Sequence, residues 1–420
     1  MNCIFHILCY NGKLRFYLNR VGDMKKLIIF IKLCFLGMVI GILGGAVSAC
    51  FAHSLALVTD LRQNAPWLVL LLPVGAVVTA AMYRIFRMQD HRGANEIILG
   101  LANKTKIRTM AAPLIFVSSA ITHLLGGSAG REGAALQLGG AGAAALCQPL
   151  GLKEEARHVS VTSGMCAVFA GLFGTPLTAT FFVLEFKSKP RTTALSFLPC
   201  LIAATAAANL SAVLGVAAET VHLHSIVPFS FITLIKIIPL ALGLSLLGHI
   251  MCTLFHGAGP IAKRLVSNDL LRGGLFAALI VAMTALVGDM RYNGSGMSMA
   301  IGAVEGHAHW FDFLLKLLFT AITLSAGLKG GEIVPTFCIG ATFGCIFGGI
   351  LGLDMGFSAA LGLVGLFCCA TNSPISGTIL GAELFGLSAL PYCGLICLLL
   401  WPISAKNGLF QNRVFRPKWM

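Results

Sequence analysis

Apolar residues run along this chain in blocks too long for the elements of a soluble domain. Residues 27–55, 67–83, 194–216, 232–251 and 276–287 carry very few charges, and a helix crossing the hydrocarbon of a bilayer needs about 20 such residues. The period-2 alternation of a barrel strand is missing. Backbone in lipid must satisfy its own hydrogen bonds, so the pattern predicts helices. On the order of ten to fourteen hydrophobic segments are expected, several too short to span. Segments 134–146, 166–173, 177–184, 333–351 and 375–384 are bounded by glycine or proline and predict half-helices that stop near mid-membrane. Irregular backbone survives at that depth only inside protein or beside a watery cavity. The polar stretch 257–272 predicts a hairpin between two long spans.

The breaks repeat. Gly-Gly-Ser-Ala-Gly-Arg-Glu-Gly at 126–133 answers Ser-Ala-Gly-Leu-Lys-Gly-Gly-Glu-Ile-Val-Pro at 325–335. Each sets a glutamate, Glu132 or Glu332, in a glycine-rich turn that opens an apolar helix. Gly174-Thr175-Pro176-Leu177, leading to Glu185, answers Asn372-Ser373-Pro374-Ile375, leading to Glu383. The paired glutamates lie 53 positions apart in the first copy and 51 in the second. Gly93-Ala94-Asn95 and Asn293-Gly294-Ser295-Gly296 form a third echo. Two copies of a membrane unit, broken at matching places, predict a transporter or channel and not an enzyme, with its site at the breaks. The expected organisation is an N-terminal extension at 1–24, a first transmembrane repeat at 25–216, a connector at 217–228, a second repeat at 229–410 and a short tail at 411–420.

Composition agrees with a membrane class: 57% of residues are hydrophobic and 11% charged, where soluble domains hold about a quarter charged. The formal net charge of +14 falls on the ends, at Lys13, Arg15, Lys25 and Lys26 and again at Arg413, Arg416 and Lys418, and on short connections. That placement marks cytoplasmic flanks and not a nucleic-acid surface, so both termini are expected inside. The fourteen cysteines show no spacing of a disulfide framework or zinc site and read as small buried hydrophobes. His222 with His224, and His307 with His309, lie in connectors without nearby cysteine and read as solvated loop residues. His123 reads as a packed span residue. No metal or cofactor is expected. Nothing resembles a phosphate-binding loop, so ion gradients should supply the energy. The first 23 residues lack a cleavage site, so no removable signal peptide is expected, and Met24 would make a natural start.

A helix N-terminus carries unpaired N–H groups and about half a positive charge. Several such ends converging near mid-membrane would attract a small anion without a full positive charge, and glycine lets backbone approach the ion closely.

At these residues the chain resembles the CLC family of chloride channels and anion/proton antiporters. Gly130-Arg131-Glu132-Gly133 matches that family's Gly-Arg-Glu-Gly segment, and Gln137-Leu138-Gly139-Gly140 continues the match. Gly330-Gly331-Glu332-Ile333-Val334-Pro335 takes the place of its Gly-Gly-x-x-x-Pro segment. The likeness covers roughly 25–410 in order and spacing. It implies an all-α polytopic fold of two inverted-topology repeats, with broken half-helices meeting at a mid-membrane anion site. It also implies a homodimer with one anion pathway per subunit and Glu132 as the gating glutamate. As a carboxylate Glu132 would compete with the anion, and on protonation it would swing away, because like charges exclude one another unless a proton intervenes. Anion-binding candidates are Gly130, Gly133, Gly331, Ile333, Val334, Asn95 and Phe410, with Arg131, which holds the turn more than it touches the ion.

Departures from the family pattern carry information. The Gly-Ser-Gly-Ile-Pro loop of most members corresponds to 91–96 here, with neither serine nor proline. Phe410 stands where the family's tyrosine ligand is expected. It has no hydroxyl, though a positive ring edge can face an anion. Phe186 stands where exchangers carry an intracellular proton glutamate, and Glu185 and Glu383 match acids that are largely structural. Glu332 replaces an apolar residue of chloride-transporting members. These features resemble the fluoride-exporting bacterial clade, in which the added glutamate is implicated in fluoride/proton exchange. A protonated carboxyl can donate to small, basic, strongly hydrated fluoride. The resemblance therefore implies a proton-coupled fluoride exporter in the inner membrane of a bacterium. The alternatives are a chloride channel or chloride/proton antiporter with an atypical site, and a non-transporting paralogue.

Overall fold

The computed structural model describes residues 23–186, 190–218, 221, 223, 230–405 and 407–410. The expectations for residues 1–22, for Glu219, His222 and His224 of the connector, and for the tail 411–420 lie outside the described residues. Within them the chain forms sixteen α-helices, eight before the connector and eight after it.

The first set is α1 (Asp23–Asn64), α2 (Leu72–Ile85, entered through a 3-10 turn at Pro66–Leu71), α3 (Ala94–Ala102), α4 (Ala111–Leu124), α5 (Glu132–Cys147), α6 (Glu154–Phe173), α7 (Pro176–Leu184) and α8 (Pro190–Val213). The second set repeats the order: α9 (Phe231–Leu265), α10 (Asp269–Val287), α11 (Met297–Val304), α12 (Asp312–Ser325), α13 (Ile333–Ile350), α14 (Met355–Thr371), α15 (Pro374–Phe385) and α16 (Leu390–Leu400). A long helix opens each set, and a short one takes the third and seventh places.

Matching residues make matching turns. α6 ends on Gly174 at φ 73° and α14 on Asn372 at φ 53°, the left-handed conformation that glycine and asparagine adopt at least cost. Thr175 and Ser373 follow outside the α region, φ −116° and −129° with ψ 75° and 73°, since a following proline disfavours that region. Pro176 and Pro374 then occupy the first helical position, where a missing N–H costs nothing.

Two expectations need correction. The segment 166–173 is not a half-helix but the end of the 20-residue α6. Its polar first turns, with Glu154, Glu155, Arg157 and His158, hid the helix from an apolar pattern. The stretch 257–272 is not an open hairpin: α9 continues to Leu265 and α10 begins at Asp269. Buried Met251, Phe255 and Ala262 carry one helical stripe through Gly257, Gly259 and Pro260, and that stripe prevails over the local breakers.

Among the described residues six helical stretches are long and apolar enough to cross a membrane, and the molecule is an integral membrane protein. Only 28% of the apolar window of α1 and 22% of that of α10 is buried, against 72% for α13. α1 and α10 thus form part of the lipid-facing rim, and α13 belongs to the centre.

Candidate functional site

The two glycine-rich turns meet at the centre. Gly130 N–H donates to the Gly331 carbonyl at 2.7 Å, and Gly331 N–H donates back to the Gly130 carbonyl at 2.6 Å, an isolated antiparallel bridge between the repeats. A side chain at Gly331 would place Cβ 2.5 Å from Gly133 N and 2.9 Å from Glu132 N, so glycine is required for this approach. The bridge also consumes the amides of Gly130 and Gly331. They cannot serve as the direct ion donors expected of them. The first-turn amides of α5, at Glu132 and Gly133, and of α13, at Ile333 and Val334, lack intrahelical acceptors by their position.

Glu132 is fully buried at the start of α5. Its Oε2 accepts the Arg131 N–H at 2.9 Å, and its Oε1 lies 3.6 Å from Arg131 Nε. The carboxylate thus folds back over its own turn, where an anion would otherwise meet that amide. Arg131 also donates through Nη2 to the Leu172 carbonyl at 3.3 Å, which ties the turn to the end of α6.

Glu332 is the N-cap residue of α13, with α-helical φ and ψ. Its backbone carbonyl accepts both the N–H and the hydroxyl of Thr336. Among the described residues no group donates to its carboxylate. Glu332 directly follows Gly331 and Glu132 lies two residues after Gly130, so the central bridge brings together the two backbone turns that carry these acids.

The starts of the short helices α7 and α15 are capped. Glu383 accepts Leu177 N–H at 2.9 Å and Thr178 N–H at 2.8 Å, capping α7 from the second repeat. Glu185 accepts Ile375 N–H at 3.0 Å, Ser376 N–H at 3.3 Å and the Ser376 hydroxyl, capping α15 from the first. Both glutamates are structural.

Five phenyl rings pack in a closed circuit: Phe169, Phe173, Phe337, Phe367 and Phe182, with successive centroids 5.0 to 6.0 Å apart. Phe410 meets Phe182 edge-on at 5.7 Å and Phe186 at 6.0 Å. Asn95 donates to the Leu409 carbonyl at 3.2 Å and Leu409 N–H to Ala370 at 2.7 Å. Asn95 therefore fastens the segment that carries Phe410. Arg108 clasps Glu96 through Nε and Nη2, each at 2.6 Å, and Asp90 at 2.8 Å, holding Asp90 below the usual carboxylate range and fixing the start of α3. The Phe circuit was not read from the sequence. Its signal was 28 phenylalanines against five tyrosines and four tryptophans.

A polar cluster around the turn at 126–128 was also missed. Lys316 of α12 is completely buried, donating to the carbonyls of Gly294 at 2.7 Å and Tyr292 at 3.1 Å. Arg62 Nη1 donates to the His123 carbonyl at 2.7 Å. Asn293 and Gly294 bind the Gly126 and Gly127 carbonyls, and Ser128 meets Thr320 and Thr323 of α12. A lone lysine in the apolar run 313–319 was the available signal. His123 packs through Nδ1 onto the Ser119 carbonyl as a span residue should. His309 instead joins Arg291 at 2.7 Å and Asp312 at 3.4 Å. Among the described residues no cluster could hold a metal ion, and the described cysteines are free thiols.

Residues 74–400 match the family model described as voltage gated chloride channel. The chain is 32% identical over 381 residues to a "chloride/fluoride channel protein" of Pseudomonas syringae pv. tomato, covering 89% of this chain and 84% of that protein. It is similar to the crystal structure of a CLC-type fluoride/proton antiporter at a TM-score of 0.86 and 30% identity, over 95% of this chain and 99% of that one. A slow cyanobacterial Cl−/H+ antiporter shares the fold at a TM-score of 0.71 and 17% identity, over 88% of this chain and 93% of that one.

Proposed function

The chain belongs to the voltage gated chloride channel family and carries anions across a membrane, and from that premise we propose that it exports fluoride in exchange for protons, with Glu132 as the gate. The observation that carries this reading is the bridge between Gly130 and Gly331, which brings two carboxylates, Glu132 and Glu332, to one pair of helix starts. One acid suffices to compete with an anion. A second beside the pathway would repel a passing anion unless it is protonated, and a protonated carboxyl is a donor that suits fluoride best. The likeness to a fluoride/proton antiporter and to a chloride/fluoride channel protein supports the choice of ion.

In this reading Glu132 leaves the Arg131 amide on protonation, and the anion takes its place at the first turns of α5 and α13. Glu332 shares its proton with fluoride, and the edges of Phe410 and the Phe circuit complete a site that excludes water. Ile333 and Val334 supply backbone amides. The working unit is a homodimer with one pathway per subunit, set in a bacterial inner membrane with both termini cytoplasmic. The two repeats span 25–216 and 229–410.

A second reading, chloride transport with or without protons, is favoured by Val334 and Phe410. Their apolar side chains offer little to replace a hydration shell and suit a more weakly hydrated ion. Efflux from liposomes holding the purified protein decides between the two, with fluoride, chloride and internal pH recorded together. Fluoride efflux that drives protons inward, with chloride at background, is the expected result. Chloride flux equal to or above fluoride flux overturns it in favour of the second reading.

A further inference from the structure

A cavity lies between the ends of α3 and α7 and the outer turns of α6, lined by Leu101, His158, Thr162, Met165 and Phe186 among others. The space open to water centres is about 20 Å³, room for roughly one water. Its walls are apolar except for Thr162 and His158. Among the lining residues His158 alone carries a side chain that can take up and release a proton.

The imidazole is unusual for this protein. Four other histidines lie in described helices, and each gives a ring nitrogen to a backbone carbonyl: His53 to Leu214, and His123, His249 and His256 to the residue four positions back. His158 does neither. Its Nδ1 is buried and has no hydrogen-bond partner among the described residues. A buried unsatisfied nitrogen is costly and calls for a water or a function. The Thr162 hydroxyl does not help, since it already donates to the His158 and Val159 carbonyls.

The place matters as much as the group. One turn before His158 on α6 is exposed Glu154, held by Lys104 at 2.7 Å, and Arg157 donates to the Thr105 carbonyl at 2.6 Å. These mark a solvent-facing end. On the other side of the cavity Phe186 makes its wall and touches Phe410 at 6.0 Å. One ring, Phe186, therefore separates the cavity from Phe410. The charged groups on the neighbouring elements are Glu154 and Arg157 on its own helix, Lys104 paired with Glu154, and Glu185 after α7, whose carboxylate is turned to the start of α15.

We infer that His158, with a water in this cavity, is the station at which protons pass between the solution and the pathway on this face of the membrane. The inference rests on the proton coupling proposed above. No bond other than N–H and O–H changes: Nδ1 accepts a proton from one side, the imidazolium releases one to the other, and the ring returns to neutral. Glu132 and Glu332 alone cannot serve, because both lie at the bridge and neither lines the cavity. Phe186 carries no proton.

The test uses the full chain in liposomes, with external fluoride and internal pH read together, for the unsubstituted protein, His158→Gln and His158→Ala. Removing a positioned proton carrier is expected to lower fluoride-driven proton movement about tenfold or more. Fluoride should then move with fewer protons per ion. Imidazole added to the His158→Ala vesicles should restore proton movement, a rescue that a purely structural role would not give. Coupling and pH profile unchanged in both variants overturn the inference and leave fluoride/proton exchange standing. Variants that lose fluoride and proton movement together, without rescue by imidazole, also overturn it. An unsubstituted protein that moves fluoride without protons overturns the exchange reading and this inference with it.

Discussion

Glu132 and Glu332 occupy turns joined by two hydrogen bonds yet meet different surroundings. Glu132 lies on an amide and beside a guanidinium, while no described group donates to the Glu332 carboxylate. They should therefore fail differently. Glu132→Gln keeps the shape and removes the charge that competes with the anion. Fluoride should still move, while fluoride-driven proton movement falls to background, as dual fluoride and pH recording would show. Glu332→Ala removes the second donor, and fluoride turnover should fall about tenfold or more with the protein still folded. Normal turnover in Glu332→Ala would remove the main reason for preferring fluoride. Glu132, Glu332, Arg131 and Phe410 were legible because a motif with fixed spacing carries them. Lys316, Arg62 and His158 were not, since each is a single polar residue whose partners are backbone carbonyls or a cavity wall, and no local pattern encodes those.

Among the elements, the short helices show how a repeated sequence becomes a repeated structure. The 53- and 51-residue spacings looked like two copies of one site. In the fold they deliver each glutamate to the other copy's helix start. Glu185→Gln and Glu383→Gln each replace an ionised acceptor with a half-matched amide at a helix N-terminus. Each should lower stability by about 2–3 kcal/mol and by similar amounts, while transport per folded molecule stays near normal. Thermal unfolding in detergent beside flux measurements would check this, and a large loss of coupling in either variant would return it to the pathway. The helix starts near 134, 177, 333 and 375 were legible from glycine and proline, but 333–351 is no half-helix: α13 runs 18 residues and is long enough to cross a membrane. The full extent of α6 and α9 was not legible, because a buried stripe prevails over local polarity only once neighbours are in place.

For the whole molecule, the architecture sets direction as well as place. The antiparallel bridge joins the repeats head to head, so neither side of the site is built for only one vector of flow. An imposed inward fluoride gradient should drive protons outward with the same ratio that holds in the forward direction. Opposed gradients adjusted to zero net flow would give that ratio, and a ratio that changes with direction would contradict a single coupled site. The reciprocal caps carry one further consequence, in time and not in space. Leu177 waits for a partner 206 positions downstream. At about 5–20 residues per second the ribosome needs on the order of 10–40 s to supply it. Through that interval α7 holds bare amides in or near the bilayer, where unmet hydrogen bonds are expensive. The newborn first half must therefore be sheltered, by translocation machinery or by water at the interface, until the last quarter of the protein arrives to close it.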